Sequence, residues 1–315
     1  VLGGAPAAAV VFAGEVRART AADTRVEGLE ARLGKASGTD RARLAAELDD
    51  LRASVRAEKI SEIAAEFEAL VAGKLPQGWQ EALPVFEPGG KPIATRAASG
   101  AVIDALFQRV PGLLGGSADL TPSNNTLPKG AESLRKGDLS GRYVRYGIRE
   151  HAMTGMMNGM ALHGGVIPYG GTFFTFSDYA RPSLRLAALG GAHSIFVFTH
   201  DSIGVGEDGP THQPVEHLAA CRAIPGLTVI SPPVATATAL AWQVAIEASG
   251  PVALILSRQA LPVLPRNDAA LRGAYIVRDA EDPQVLLVAT GSEVSLALDA
   301  ASVLAEKGLR ARVVS

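Results

Sequence analysis

The chain has 315 residues, is 47% hydrophobic and 20% charged, and carries a formal net charge of −2. That length suits two domains plus an appendage, and the near-neutral charge excludes nucleic acid as the main ligand. A single cysteine, Cys221, excludes an internal disulfide and a cysteine-rich zinc site, and fits a reducing cytoplasm.

The opening run VLGGAPAAAVVFAG is apolar but too short to span a bilayer, and it lacks a basic leader, so no membrane anchor is expected. The chain starts at Val1 rather than Met and stops in ARVVS, and is expected to be a piece of a longer chain. Residues 15–72 are rich in Ala, Arg, Glu and Leu. Leu44, Leu48, Leu51 and Val55, then Ile60, Ile63, Phe67 and Leu70, recur at helical spacing. GKASGTD interrupts the pattern near Gly38, so two helices are expected, arranged as a hairpin. Such an arm either packs as structure or binds a partner helix; its stripes are short for an independent coiled coil.

The Pro/Gly-rich stretch GKLPQGWQEALPVFEPGGKP, residues 73–92, reads as a linker. After it, apolar runs alternate with helical segments: GLLGGS (112–117), RYVRYG (142–147), VIPYG (166–170), SIFVFTH (194–200), LTVIS (227–231) and VALILS (252–257). Continuous apolar runs suit strands of a parallel sheet buried on both faces. The expected fold is therefore α/β, doubly wound and mainly parallel. The expected domains are a helical arm (1–73), a linker (74–92), an α/β domain (93–260), a second linker (261–283) and the start of a truncated second α/β domain (284–315).

In an open α/β sheet, ligands bind outside the carboxyl ends of the strands. Polar, Gly-rich stretches follow the strands there: GGSADLTPSNN, GIREHAM, GGTFFTFSDY, THDSIGVGEDGPTHQP and SRQ. Glu150, in IREHAM, stands at a strand-to-helix junction and is either a dipole partner of that helix or a functional carboxylate. Phe173, Phe176 and Tyr179 are spaced by three and share one face of a helical turn. They are either core or a wall for a flat heterocycle. His200 and His212 are spaced like no standard zinc signature. With Asp201 or Asp208 they either hold a metal or handle protons near neutral pH, the second being favoured by the ordinary titration range of His.

Long strings in one order carry a resemblance: GGSADLTPSNNT, GRYVRYGIREHAM, GGTFFTFSDYARPSLRLAAL, THDSIGVGEDGPTHQPVEHLAACRAIPGL and LILSRQALP. Together with KPIATRAASG they closely resemble the transketolase family, from about residue 60 to 315; the first 50 or so residues match nothing in it. The resemblance implies the pyrimidine-binding domain and the start of the C-terminal domain of an enzyme using thiamine diphosphate and a divalent metal. It implies transfer of a two-carbon ketol unit from a ketose phosphate to an aldose phosphate. Glu150 is then expected to bond N1′ of the aminopyrimidine and promote its imino tautomer. Phe173, Phe176 and Tyr179 are expected around that ring, and His212 beside the cofactor's amino group and the substrate. His200 and Asp208 are expected on substrate hydroxyls, and Arg96, Ser123 and Arg258 on the phosphate. Glu150, His212 and His200 form the expected catalytic set, while Asp201 and Glu207 are left as structural loop carboxylates. In the family a preceding domain with a GDG motif holds the diphosphate and the Mg²⁺ or Ca²⁺. No GDG occurs here, so no metal ligand is assigned. The expected partners are sugar phosphates and either a second copy or a complementary diphosphate-domain subunit. Two other functions are considered. A catalytically silent interaction or regulatory module would have no need of Glu150, His200, Asp208 and His212. A generic nucleotide-binding domain would need a G-x-G-x-x-G after a strand, and none stands there.

Overall fold

The computed structural model describes residues 21–315, with side chains from Asp23 onward; the apolar opening run and the first residues of the helical stretch lie outside them. Helices α1 (Ala21–Lys35) and α2 (Gly38–Val71) form an antiparallel pair. The turn between them is short because Gly38 takes a left-handed φ of +59°. Leu44, Leu48 and Val55 of the first stripe are buried, and Lys59 reaches back to Asp23 at 2.5 Å. The second stripe belongs to the same long α2, but its Ile60 and Ile63 are exposed. The stretch 74–92 is anchored by Trp79, which is buried in the core of the next unit.

That unit is a six-stranded, all-parallel sheet with strands in the order β3-β2-β4-β5-β7-β6. Its strands are β2 (Leu113–Ser117), β3 (Tyr143–Arg145), β4 (Ile167–Phe173), β5 (Ile195–Thr199), β6 (Thr228–Ile230) and β7 (Val252–Leu256). β2, β5 and β7 are buried along their whole length. Helices cover both faces, as the apolar runs required. Against one face lie α3 (Thr95–Arg109) and α8 (Ala235–Glu247), joined by Val102, Leu106, Trp242, Val197 and Leu254. Against the other lie α5 (Glu150–His163), α6 (Ser177–Gly190) and the short α7 (His217–Arg222), joined by Met153, Met157, Leu184, Phe196 and Ile255. Gly170 in β4 lets α5 sit close, since a Cβ there would run into Met157 Sδ.

A short helix α4 (Thr121–Asn124) follows β2. A two-residue strand β1 (Ile93–Ala94) pairs antiparallel with β8 (Ala260–Leu261). The stretch 261–283 holds the end of β8 and also β9 (Ile276–Arg278). β9 joins β10 (Val285–Val288) and β11 (Ala311–Val314) in a three-stranded sheet, packed on α9 (Glu293–Glu306). Among the described residues no helix is long and apolar enough to cross a membrane.

Within the core, Trp242 Nε1 donates to Ser99 Oγ at 2.8 Å, and both residues are buried. Ser99→Ala leaves the indole N–H without a partner. The expected loss is about 1–3 kcal/mol of stability, read by urea unfolding as a lower midpoint at an unchanged slope.

Candidate active site

Strand ends β2, β3, β4, β5 and β7 bring most of the expected residues to one edge of the sheet. Glu150 opens α5, where a carboxylate suits the positive end of the helix. It is only 7% exposed, however, and Thr172 Oγ1, at the end of β4, donates to its Oε1 at 3.1 Å. A dipole partner alone has no reason to be buried, because water would solvate it equally well.

Phe173 ends β4, Phe176 ends a 3₁₀ turn (Phe174–Phe176), and Tyr179 lies in the first turn of α6. The three therefore span a strand end, a 3₁₀ turn and a helix, and the tight turn preserves their common face. Phe173 and Phe176 stack with centroids 5.9 Å apart at 14°, and Tyr179 continues the ladder 5.9 Å beyond. Phe173 is buried, while Tyr179 is 64% exposed, so the ladder leaves the core and ends in the open.

His200 follows β5 directly. Its φ of +61° is left-handed, which is uncommon for a residue with a Cβ. The turn drops its ring onto Phe173 (centroids 3.8 Å apart), with only 3% of the residue exposed. His212 closes a 3₁₀ turn (Pro210–His212) and packs edge-on against Phe173 and Phe176, at 5.8 and 5.2 Å. Gly206 and Gly209 take φ values of +85° and +79°, which is how the loop carrying Asp208 doubles back.

Arg96 and Arg258 are 162 residues apart in sequence, yet the β1–β8 pair sets them side by side. Arg96 N donates to Ser257 O, and Thr95 and Ser257 exchange side-chain and backbone hydrogen bonds at 2.7–3.1 Å. Arg96 Nη1 donates to Ser123 O at 2.8 Å and approaches His200 Nε2 at 3.4 Å. Ser123 thus meets Arg96 through its carbonyl, not its hydroxyl. Glu207, expected only as a loop carboxylate, lies 3.6 Å from Arg258. Its sequence signal was weak, because pairing with a distant arginine is invisible in the loop itself.

Charge and burial act together here. Burial, then Arg258, hold the Arg96 guanidinium below its usual value, and Asp208 opposes them. His200 is pushed down to about 4 by burial and Arg96, aided by Arg258 and His212 and opposed by Asp208. His200 is therefore neutral across the physiological range. Desolvation and the flanking arginines lower the titration that an exposed His would show. The other loop acid is Asp201. Burial and nearby Glu293 raise it to about 6, and its Oδ1 has no hydrogen-bond partner.

The expected His200, His212, Asp201 and Asp208 do not form a metal cluster. Among the described residues the side chains with ligand atoms in mutual reach are Asp178, Glu216 and His217, outside the expected site set.

The fold and the convergence of these side chains define a doubly wound α/β domain whose polar groups gather at the carboxyl edge. Residues 91–263 match the family model for the transketolase pyrimidine-binding domain, and residues 273–315 match the model for the transketolase-like C-terminal domain. The transketolase of Mycobacterium bovis is 53% identical over 268 residues, covering 79% of this chain and 38% of that protein. That of Geobacillus stearothermophilus is 52% identical over 262 residues, covering 81% and 39%. The solved transketolase of Pichia stipitis, in complex with sedoheptulose 7-phosphate, superposes with a TM-score of 0.80 at 44% identity, covering 88% of this chain and 42% of that one. A split-gene transketolase, solved as an inactive β4 tetramer, is 28% identical with a TM-score of 0.58 and covers 71% of each chain. This chain belongs to the transketolase family and is part of a transketolase. It spans about two-fifths of the length of the curated relatives it matches.

Asp201 provides a pH test. Its folded value, about 6, exceeds the unfolded 3.8, so its ionised form opposes folding. The cost is absent below the unfolded value and complete above the folded one. Asp201→Asn is expected to stabilise the chain at pH 8 by up to about 3 kcal/mol, with the gain fading to nothing below about pH 4. Urea unfolding at several pH values measures it.

Proposed function

We propose that this chain is the pyrimidine-binding part of a transketolase, acting in the complete enzyme to move a two-carbon ketol unit between sugar phosphates. The observation that carries the reading is the buried Glu150, held by Thr172, the residue that directly precedes the aromatic ladder in the chain. A flat, nitrogen-bearing ring fits that pair. Thr172 holds one carboxylate oxygen, and the other is offered to a ring nitrogen, while Phe173, Phe176 and Tyr179 supply the apolar wall. These residues suit the aminopyrimidine end of thiamine diphosphate. When bound, the cofactor supplies the electron sink for breaking and forming the carbon–carbon bond. His212 stands against the same rings and is assigned to the cofactor's amino group and the substrate.

Arg96 and Arg258 are assigned to the phosphate of the sugar, since guanidinium forks suit its oxygens. Ser123 is assigned to the same grip and Asp208 to a substrate hydroxyl. His200, neutral and wedged between Arg96 and Phe173, is assigned to hydrogen bonding rather than proton transfer. The diphosphate and its Mg²⁺ or Ca²⁺ are assigned to a diphosphate-binding domain, which either shares a longer chain with this one or belongs to a separate subunit. The domain bounds follow the sequence reading: 1–73 arm, 74–92 linker, 93–260 pyrimidine domain, 261–283 linker, 284–315 C-terminal domain. A homodimer of the complete enzyme and a cytoplasmic location belong to the same reading; a buried free thiol at Cys221 suits the latter.

The purified chain, given thiamine diphosphate and Mg²⁺, is expected to show no ketol transfer from xylulose 5-phosphate to ribose 5-phosphate. Adding the diphosphate half should produce turnover, because misplacing reacting groups by about 1 Å already costs roughly 10²-fold. Metal-dependent turnover by the chain alone would overturn this division of labour.

In the reconstituted enzyme, Glu150→Ala is expected to slow hydrogen exchange at the cofactor's reactive carbon by at least about 10²–10⁴-fold; near-normal exchange would remove Glu150 from its role. Arg96→Ala or Arg258→Ala should raise KM for phosphorylated sugars far more than for unphosphorylated analogues. The loss should correspond to about 1.5–3 kcal/mol for a charge-assisted contact. Equal damage to both substrate classes would make the arginines structural.

A further inference from the structure

We propose that the cavity under the amino ends of β2, β4 and β5 is a binding site for a neutral two-ring aromatic compound carrying one N–H or O–H donor. The strand ends used by the transketolase reading lie at the opposite edge of the sheet, so the two stand independently. The cavity measures about 490 Å³. Folded interiors pack to crystal-like density and leave few voids larger than a water molecule. Small-molecule sites occupy about 300–1,000 Å³, and an apolar cavity of about 150 Å³ already holds benzene. A second fused ring therefore fits here. Leu70 of α2, Leu75 and Pro76 beyond it, Val110 before β2, Ile167 of β4 and Ile246 of α8 supply the apolar walls. Glycine backbone supplies the rest. Gly164 and Gly165, both in the lining, take φ values of +83°, where a side chain is rarely tolerated. At Gly112 a Cβ would come within 3.0 Å of Leu70 Cδ2.

His193 sets the polar requirement. It lines the cavity just ahead of β5 and is half-buried. Its Nε2 is 2.7 Å from Ala245 O, and a carbonyl only accepts, so Nε2 carries the hydrogen. Burial holds the ring below its usual value of 6.5, so at pH 7.5 it is neutral and Nδ1 keeps a lone pair. Among the described residues no protein donor meets that nitrogen. A ligand N–H or O–H satisfies it while the rings lie against the apolar walls. The charged members of the lining argue against an ion. Glu66, Glu247 and Lys74 bring two negative charges and one positive, and Gln80 Nε2 already donates to Glu247 Oε1 at 3.0 Å. An anion meets a net negative lining, and a cation would exchange water for hydrocarbon. Because α2 forms one wall and the sheet and α8 form others, an occupied cavity ties the helical arm to the α/β unit. No motif string joins His193 to Leu70; the folded sheet brings them to one chamber.

The test titrates the ¹⁵N-labelled 315-residue chain with indole and with 1-methylindole at pH 7.5. Indole is expected to shift the backbone amide signals of Gly112, Gly164 and Gly165, with a Kd below about 1 mM. 1-Methylindole has the same rings and no donor, and should bind about 5–10-fold more weakly, the weight of one hydrogen bond. Its extra methyl group would otherwise favour it, so the order of the two affinities reports the donor. His193→Phe, which keeps a ring and offers no acceptor, should bring the two Kd values together. Ala161→Phe, which fills the space from α5, should abolish binding of both compounds. No indole binding at 1 mM would overturn the proposal, as would shifts confined to amides away from the cavity. Equal or reversed affinities of the two compounds for the native chain would overturn it without any variant having to fold. Unchanged binding to a folded Ala161→Phe chain would do the same.

Discussion

A parallel sheet covered on both faces can release polar side chains in few places, and the rest of this molecule follows from that constraint. β2, β5 and β7 are buried throughout, so their side chains are committed to packing. Crossover helices occupy both faces. Chemistry is left with the strand ends, where the chain turns and backbone groups lack ladder partners. Glu150, Thr172, Phe173, Thr199, His200 and Arg258 all stand within a few residues of such an end. The same constraint explains why unusual backbone geometry gathers there: His200 and Gly206 both take positive φ in the turns that follow β5.

Two like charges are held together at this edge by structure that does not itself touch a ligand. The short β1–β8 ribbon and the Thr95–Ser257 exchange bring Arg96 beside Arg258. Their mutual repulsion is tempered by Asp208 and by the Glu207–Arg258 contact, and it is transmitted to His200, which cannot take a third positive charge. The result is a pair of arginines opposed by two carboxylates, with a neutral imidazole beside them. Next along the loop, Asp201 is buried near Glu293 of α9. The site loop and the C-terminal unit are thereby coupled, because Gly291 N donates to Ser231 O at the same seam.

Much of the fold was legible in the sequence. Six apolar runs became six parallel strands, shortened by a residue or two at most ends and extended in β4 to Phe173. The helical stripes in residues 40–55 became a hairpin face, since Leu44, Leu48 and Val55 find partners on α1. Ile60 and Ile63 show the same periodicity and no burial. Periodicity records which side chains share a face, not whether anything covers it. Within the stretch 261–283, the three-residue β9 was not legible, because its pairing with β11 comes from much later in the chain.

By itself, the sequence determined the fold class, the strand-end placement of the candidate site residues and the family, because these rest on local period, turn residues and long motif strings. Tertiary structure alone decided the state of the site. The pairing of Arg96 with Arg258, the burial of Glu150 against Thr172, the depressed His200 and the raised Asp201 all depend on groups far apart in the chain. A residue's charge and the direction of its hydrogen bonds are set by what surrounds it in space. No window of sequence contains those neighbours until the sheet has folded and brought its strand ends together.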